Sequence, residues 1–406
     1  MQIINAQYIY IDGEYKKNYA IAFKEKIEAI GNFDNLKNLY PKAETIICGE
    51  NSVLYAGFIN THTHLEFSSN KTTLKYGSFL PWLYSVIANR DELMNSCDDS
   101  VIDDAINEML RCGITSFGAI SSLGLDLKAC VKAPQRVIFF NELIGSNPQT
   151  VDALYQDFLQ RFEASSLHKE SLITPAVAIH SPYSVHPIVV KKGIALAKSK
   201  KAPLTAHLLE SQAEREWLDN SSGEFKEFFK NVLNQDKAVT NANEFISSFD
   251  GYPTLFSHFV ETNSGEVEKI KKEGHFVAHC PRSNRLLGCN RLKIEELIRL
   301  NIPFSVATDG LSSNYSLNIF DELRDTLMLH HLGDINLLAK KLIDSITVKA
   351  GEALGIDCGE IKEGYFADFA VIKLPQNPLD IKDIPLWTIL HTKEADSVYI
   401  GGKQYV

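Results

Sequence analysis

The stretch Leu54-Tyr55-Ala56-Gly57-Phe58-Ile59-Asn60-Thr61-His62-Thr63-His64 closes an apolar run with two histidines two residues apart. Alternate side chains of an extended strand share a face, so one strand end can present both imidazoles to a single cation. That points to a metallohydrolase. The same spacing occurs at strand edges that hold no ion, so the remainder of the chain has to decide.

Beyond this stretch lie seven more strand-sized apolar runs: 113–117, 137–140, 173–179, 203–206, 254–257, 275–278 and 303–307. Segments such as 98–111, 187–200 and 291–300 separate them with helical patterning. Eight alternating units predict an α/β chain folded as a (β/α)8 TIM-like barrel, whose strands are apolar on both faces. An open doubly wound sheet would carry a glycine-rich phosphate loop after its first strand, where this chain has His62-Thr63-His64. Residues 3–11 and 18–31 read as short strands around the turn Asp12-Gly13, and short strands return at 364–372 and 397–400. Neither end supplies much core alone. The expected organisation is a barrel over 57–356 and one small β-sandwich domain assembled from 1–56 and 357–406.

The 406 residues are 45% hydrophobic, enough for a large core, and the net charge of -10 gives no broad attraction to a phosphate backbone. No nucleic-acid partner is expected on that ground. Met1-Gln2-Ile3-Ile4-Asn5 has no basic stretch leading into a long apolar segment, and no window has bilayer-spanning length, so no membrane partner is expected. Seven dispersed cysteines without a close CxxC pair fit a reducing cytoplasm.

The polar residues that follow the apolar runs carry the functional reading. His62 and His64 end the first barrel strand, His180 the fourth, His207 the fifth, His258 the sixth and Asp309 the eighth. Barrel topology brings such positions to one C-terminal rim. His62, His64, His207 and Asp309 form a sensible donor set for one divalent cation, whose charge lowers the pKa of bound water. Zinc is the expected ion, and Fe2+, Mn2+ or Ni2+ suit the same donors. In His207-Leu208-Leu209-Glu210 the glutamate lies one helical turn beyond the histidine, if a helix begins there, and can carry a proton. His258 can orient the attacking water, and Asp309 can accept its proton.

With these residues in place the chain resembles the amidohydrolase superfamily, in the branch that includes S-adenosylhomocysteine, guanine and chlorotriazine hydrolases or deaminases. The resemblance covers essentially the whole chain, including Gly364-Tyr365-Phe366-Ala367-Asp368, similar to the family's strand-entry motif. Ala56-Gly57 departs from the proline-glycine style of entry. The resemblance implies metal positions at His62, His64, His207 and Asp309, a proton-transfer position at Glu210 and a hydroxide-orienting position at His258. A bridging carbamylated lysine is common in such barrels; the fourth strand end has His180 instead, which favours one ion.

Asn60 to Phe67, His180 to His186 and Cys280 to Arg285 look like members of this branch whose substrate joins an adenine ring to an aryl carboxylate. That resemblance implies a small-molecule adenine nucleoside with a carboxylated tail as partner, and a possible homodimer. The expected substrate contacts are Glu66, Phe67, Trp82, His180 and Ser313, with Arg282 or Arg285 meeting the carboxylate. Two rivals stay open: deamination of S-adenosylhomocysteine, methylthioadenosine or adenosine, and a noncatalytic binding protein on the same barrel.

Overall fold

All eight apolar runs become parallel strands, Phe58–Thr63, Ile114–Ser121, Arg136–Leu143, Ile173–Ile179, Leu204–Leu208, Leu255–His258, Phe276–His279 and Phe304–Val306. The structure is a computed structural model that describes residues 1–70, 72–168 and 171–406. Each strand pairs with its successor in sequence order. The eighth meets the first through Asp309 N–H to His62 O at 3.1 Å, Thr61 Oγ1 to Ser305 Oγ at 2.7 Å and Asn60 Nδ2 to Thr308 Oγ1 at 2.7 Å. The result is a near-closed parallel barrel with flanking helices.

Successive strand residues belong to two different cores. Ile59, Ile138, Phe140, Ala176 and Ala178 converge in the barrel interior, while Phe58, Val137, Phe139, Val177 and Ile179 join the larger core shared with the helices. Both alternating faces are therefore apolar, which is why the strands read as continuous apolar runs. The helices fill the intervals, as in Asp99–Arg111, capped by the Asp98 carboxylate accepting from Ser100 and Val101 N–H.

The two chain ends share a six-stranded sheet, in which Ser52–Ala56 pairs antiparallel with Phe369–Lys373. A four-stranded sheet from residues 2–47 lies beside it, and Ile4, Ile21 and Phe23 of one sheet pack with Leu54, Phe369 and Tyr399 of the other. Asp368 couples this region to the barrel: its carboxylate accepts from Arg136 Nε at 2.8 Å and from Gly401 N–H at 2.7 Å. The C-terminal segment is not only strands. Ile384–His391 is a helix with Pro385 in its first turn, packed on the barrel helix Ile335–Ser345. Its run Ile384-Pro385-Leu386-Trp387 starts as a helix because proline costs nothing where the N–H is unsatisfied anyway. Among the described residues no helix is long and apolar enough to cross a membrane.

Candidate active site

The first strand does not deliver His62 by simple alternation. Asn60 reaches outward to Met109 Sδ at 3.5 Å, so regular pleating would turn His62 outward too. A register shift intervenes: Asn60 pairs with Phe117 but Thr63 with Ala119, one residue more on the first strand than on the second. This β-bulge re-aims His62 into the barrel mouth, and His64 follows on the same side. Gly310 lets the eighth-strand loop approach, since a Cβ there would lie 2.7 Å from His64 O. Leu209, His258, Phe259 and Asp309 all have φ between 52° and 70°, a left-handed conformation unfavourable for side-chain-bearing residues. They sit where the fifth, sixth and eighth strands turn onto the rim, so local strain collects around the site.

The donors converge as the barrel topology requires. His62 Nε2 and His64 Nε2 lie 3.7 and 3.6 Å from Asp309 Oδ1, and His64 Nε2 lies 3.2 Å from His207 Nε2. His207 Nδ1 donates to His180 O at 2.7 Å, so its Nε2 carries a lone pair. His62 Nε2 is buried without a hydrogen-bond partner, while its Nδ1 meets Ser257 Oγ at 2.9 Å. Burial and the neighbouring imidazoles hold His62 and His207 well below the usual histidine range, so both rings are neutral donors. Burial would raise Asp309, but His64, His62 and His258 and the Ser283 hydroxyl hold it below the usual carboxylate range. Three imidazoles, one carboxylate and an orphaned buried nitrogen fit a divalent cation.

Glu210 stands beside this cluster. It does not ride on a helix: the helix starts at Gln212, and the left-handed Leu209 turns Glu210 inward before it. Glu214, which reads as part of a solvated charged surface, is buried and accepts from Leu209 and Glu210 N–H at 2.9 and 2.8 Å. It pins the turn that presents Glu210. Burial, aided by Asp309 and Glu214 and opposed by His258, pushes the Glu210 carboxyl up to about 7. His258 Nδ1 meets Asn284 Oδ1 at 2.9 Å, which leaves Nε2 3.7 Å from Glu210 Oε1. Burial lowers His258, yet Glu210, Asp309 and the Asn284 bond outweigh it and leave the ring above the usual histidine value.

His64, His207, Glu210, His258 and Asp309 form the floor of a cavity of about 600 Å³. Phe67, Phe79, Trp82, Leu83, Phe228 and Phe229 make its apolar walls. Trp82 also donates Nε1–H to Ser312 O at 2.7 Å, tying the helix Phe79–Ala88 to the loop after the eighth strand. His180 borders the cavity with Nδ1 engaged by Ser184 Oγ at 2.6 Å. Ser313 borders it as well, but its hydroxyl donates to Asp309 Oδ2 at 2.8 Å, so it orients the carboxylate.

Three expected substrate contacts fall elsewhere. Glu66 is buried outside the cavity lining and accepts from Ser122, Leu123 and Leu125 N–H, organising the loop after the second strand. Arg282 is also buried, with Asp321, Glu322 and Asp325 oxygens at 3.4–3.5 Å and the Tyr315 ring beneath its guanidinium. Its charge is committed to the neighbouring helix Ile319–Leu329. Arg285, on the same short helix Pro281–Leu286, is exposed and does not border the cavity. The arginines that do border it are Arg90 and Arg161. Arg161 is engaged by Asp157, Ser121 O and Glu142 O, whereas Arg90 has no ion pair among the described residues.

Glu142 is the main site residue that sequence reading misses. The apolar run of the third strand stops at Phe140, but the strand continues through Asn141, Glu142 and Leu143 and puts the glutamate on the rim. An acid closing an apolar run was the available signal, as it was for Asp309. His275, His279 and Cys280 form no metal cluster among the described residues: His275 Nδ1 accepts from Thr254 N–H, and His279 Nε2 pairs with His330 Nε2 at 3.3 Å.

The chain belongs to the amidohydrolase family, which residues 53–405 match. It is 46% identical over 387 residues to the aminodeoxyfutalosine deaminase of a Nitratiruptor species, covering 95% of each chain. It is 34% identical over 413 residues to the adenosine deaminase of Helicobacter pylori, covering all of both. Its fold superposes with a TM-score of 0.94 on the crystal structure of Helicobacter pylori aminofutalosine deaminase in complex with methylthio-coformycin, at 34% identity and 100% coverage of both chains.

Proposed function

We propose that this chain is a metal-dependent aminohydrolase that deaminates the adenine ring of 6-aminodeoxyfutalosine, in the futalosine route to menaquinone in the cytoplasm. The 46%-identical relative named for that activity supports the choice of substrate. The observation that carries the reaction class is Glu210, a carboxyl pushed up to about 7 beside the histidine and aspartate donors at the floor of an apolar cavity.

His62, His64, His207 and Asp309 are the residues that would hold the ion. When bound, a divalent cation, with zinc as our first choice, supplies the Lewis acidity that makes water a nucleophile near neutral pH. Asp309 takes a proton from the attacking water, and His258 orients that water through its free Nε2. Glu210 gives its proton to ring nitrogen N1 as C6 becomes tetrahedral. Proton return through Asp309 and Glu210 lets the amino group leave as ammonia, with a hypoxanthine-type ring as the other product. Phe67, Trp82 and Phe228 exclude water from the ring, and Arg90 at the mouth faces the tail carboxylate. The test is ammonia release by metal-loaded protein from 6-aminodeoxyfutalosine, adenosine and S-adenosylhomocysteine. Preference for the first is the expected result, and preference for S-adenosylhomocysteine rejects the substrate assignment.

Deamination of adenosine is the second reading, supported by the 34%-identical Helicobacter pylori relative of that name. The same chemistry serves it, with the cavity wall around Arg90 left without an anionic partner.

A further inference from the structure

We infer that Glu142 is the sugar-binding residue of this site, accepting hydrogen bonds from the ribose hydroxyls of the nucleoside; the inference rests on the deaminase reading above. Glu142 is the penultimate residue of the third strand, lines the cavity and is 1% exposed. Its carboxylate is held at one oxygen only: Oε2 accepts from the Ser122 hydroxyl, and Oε1 is buried without a hydrogen-bond partner. His207 Nδ1 lies 3.6 Å from Oε1, and its proton is committed to His180 O at 2.7 Å. A buried carboxylate oxygen with an unmet hydrogen bond costs stability unless something fills it, so its place at a cavity wall marks a subsite for a ligand donor. Ser146, three residues past the end of the same strand, also lines the cavity, and its Oγ is likewise buried and unpartnered.

The order of strands around the barrel identifies that donor. Asp309, Glu210 and His258 follow the eighth, fifth and sixth strands and take the reacting edge of the base. Glu142 lies one residue before the end of the third strand and His180 just past the end of the fourth, across His207 from the reacting groups. With the amino-bearing edge of adenine on the floor, the donors left on the far side of the nucleoside are the sugar hydroxyls. A carboxylate accepts from hydroxyls and repels anions, so this subsite takes the neutral sugar and leaves the anionic tail to the mouth. A purely positioning role toward His207 is the competing account.

The experiment compares wild type and Glu142→Gln, both zinc-loaded, with adenosine, 2′-deoxyadenosine and 3′-deoxyadenosine, following ammonia release and bound metal. Binding of inosine and its 2′- and 3′-deoxy forms is measured in parallel by calorimetry, without turnover. Wild type should favour the ribonucleoside over at least one deoxy form by about 10- to 100-fold, the range for a hydrogen bond to a charged group. Glu142→Gln should shrink that ratio several-fold while retaining its metal. Equal losses on all three substrates, or loss of the metal, overturn the inference in favour of a positioning role. Unchanged discrimination in the variant also overturns it. Failure of wild type to release ammonia from any adenine nucleoside, the 6-aminodeoxyfutalosine of the earlier test included, rejects the deaminase reading instead, and the inosine series still judges the hydroxyl subsite.

Discussion

The floor and the outer wall of the cavity are built in opposite ways. On the floor every reacting side chain sits at a strand end, and most are oriented by named partners: Ser257 on His62, His180 O on His207, Asn284 on His258, Ser283 and Ser313 on Asp309. The outer wall comes from the helices Phe79–Ala88 and Glu224–Leu233 and the loop 144–147, with apolar packing as its main cohesion. Chemistry that depends on sub-ångström placement belongs on the strands, and selection of a substrate belongs on elements that can vary without moving them.

The sharpest way to break that contrast is to remove a floor donor. His207→Ala should abolish tight metal binding and lower turnover on the order of 10⁴-fold, the equivalent of several kcal/mol of lost charge stabilisation. Metal content and kcat are the paired readouts, and a variant that keeps both would remove His207 from the ligand set. Glu210→Gln should keep its metal yet lose about 10²- to 10⁴-fold in kcat, because only proton transfer is removed. Near-normal turnover would reject the assigned role.

The raised Glu210 carboxyl also makes a signed pH prediction. A group pushed from the ordinary carboxyl range up to about 7 stays protonated below that value and loses its proton above it. As the proton donor to N1 it should therefore support activity on the acid side, with kcat/KM declining as pH rises through about 7. A flat profile across that interval contradicts Glu210 as the donor.

The outer wall should respond more gently. Trp82→Ala should raise KM about tenfold, the equivalent of about 1.4 kcal/mol of lost aromatic contact, and leave metal content unchanged. A drop in kcat alone would place Trp82 among the floor residues. Arg282→Ala, outside both regions, should leave the ratio of KM values for carboxylated and uncharged nucleosides unchanged and lower stability by about 3 kcal/mol, since the buried Glu322 loses its cationic partner. Denaturant unfolding reads that loss, and selective weakening of the carboxylated substrate would restore Arg282 to the site.

Much of this molecule is legible in its sequence because the barrel repeats one rule. A strand covered on both faces must be apolar throughout, so each of the eight announces itself as an uninterrupted run. The polar residue that ends such a run falls on the rim, which is why His62, His64, His180, His207, His258 and Asp309 can be placed together from their positions alone. Glu142 escapes because its strand continues through the polar Asn141, and the helix 384–391 escapes because strands surround it in sequence.

What the sequence does not carry is the direction in which a long charged side chain points. Arg282 and Glu66 stand next to site motifs, yet three acids claim the first and backbone N–H groups claim the second. Glu214 looks solvated in the sequence and is buried in the fold. The extra residue that turns His62 inward appears only when two strands are laid side by side. Sequence determined which chemical groups lie at the barrel rim, because the polar residue that ends an apolar strand run is a local feature. Tertiary structure decided which of them are free to meet a ligand, because a charge inside a protein is spent on whichever partner packs against it first.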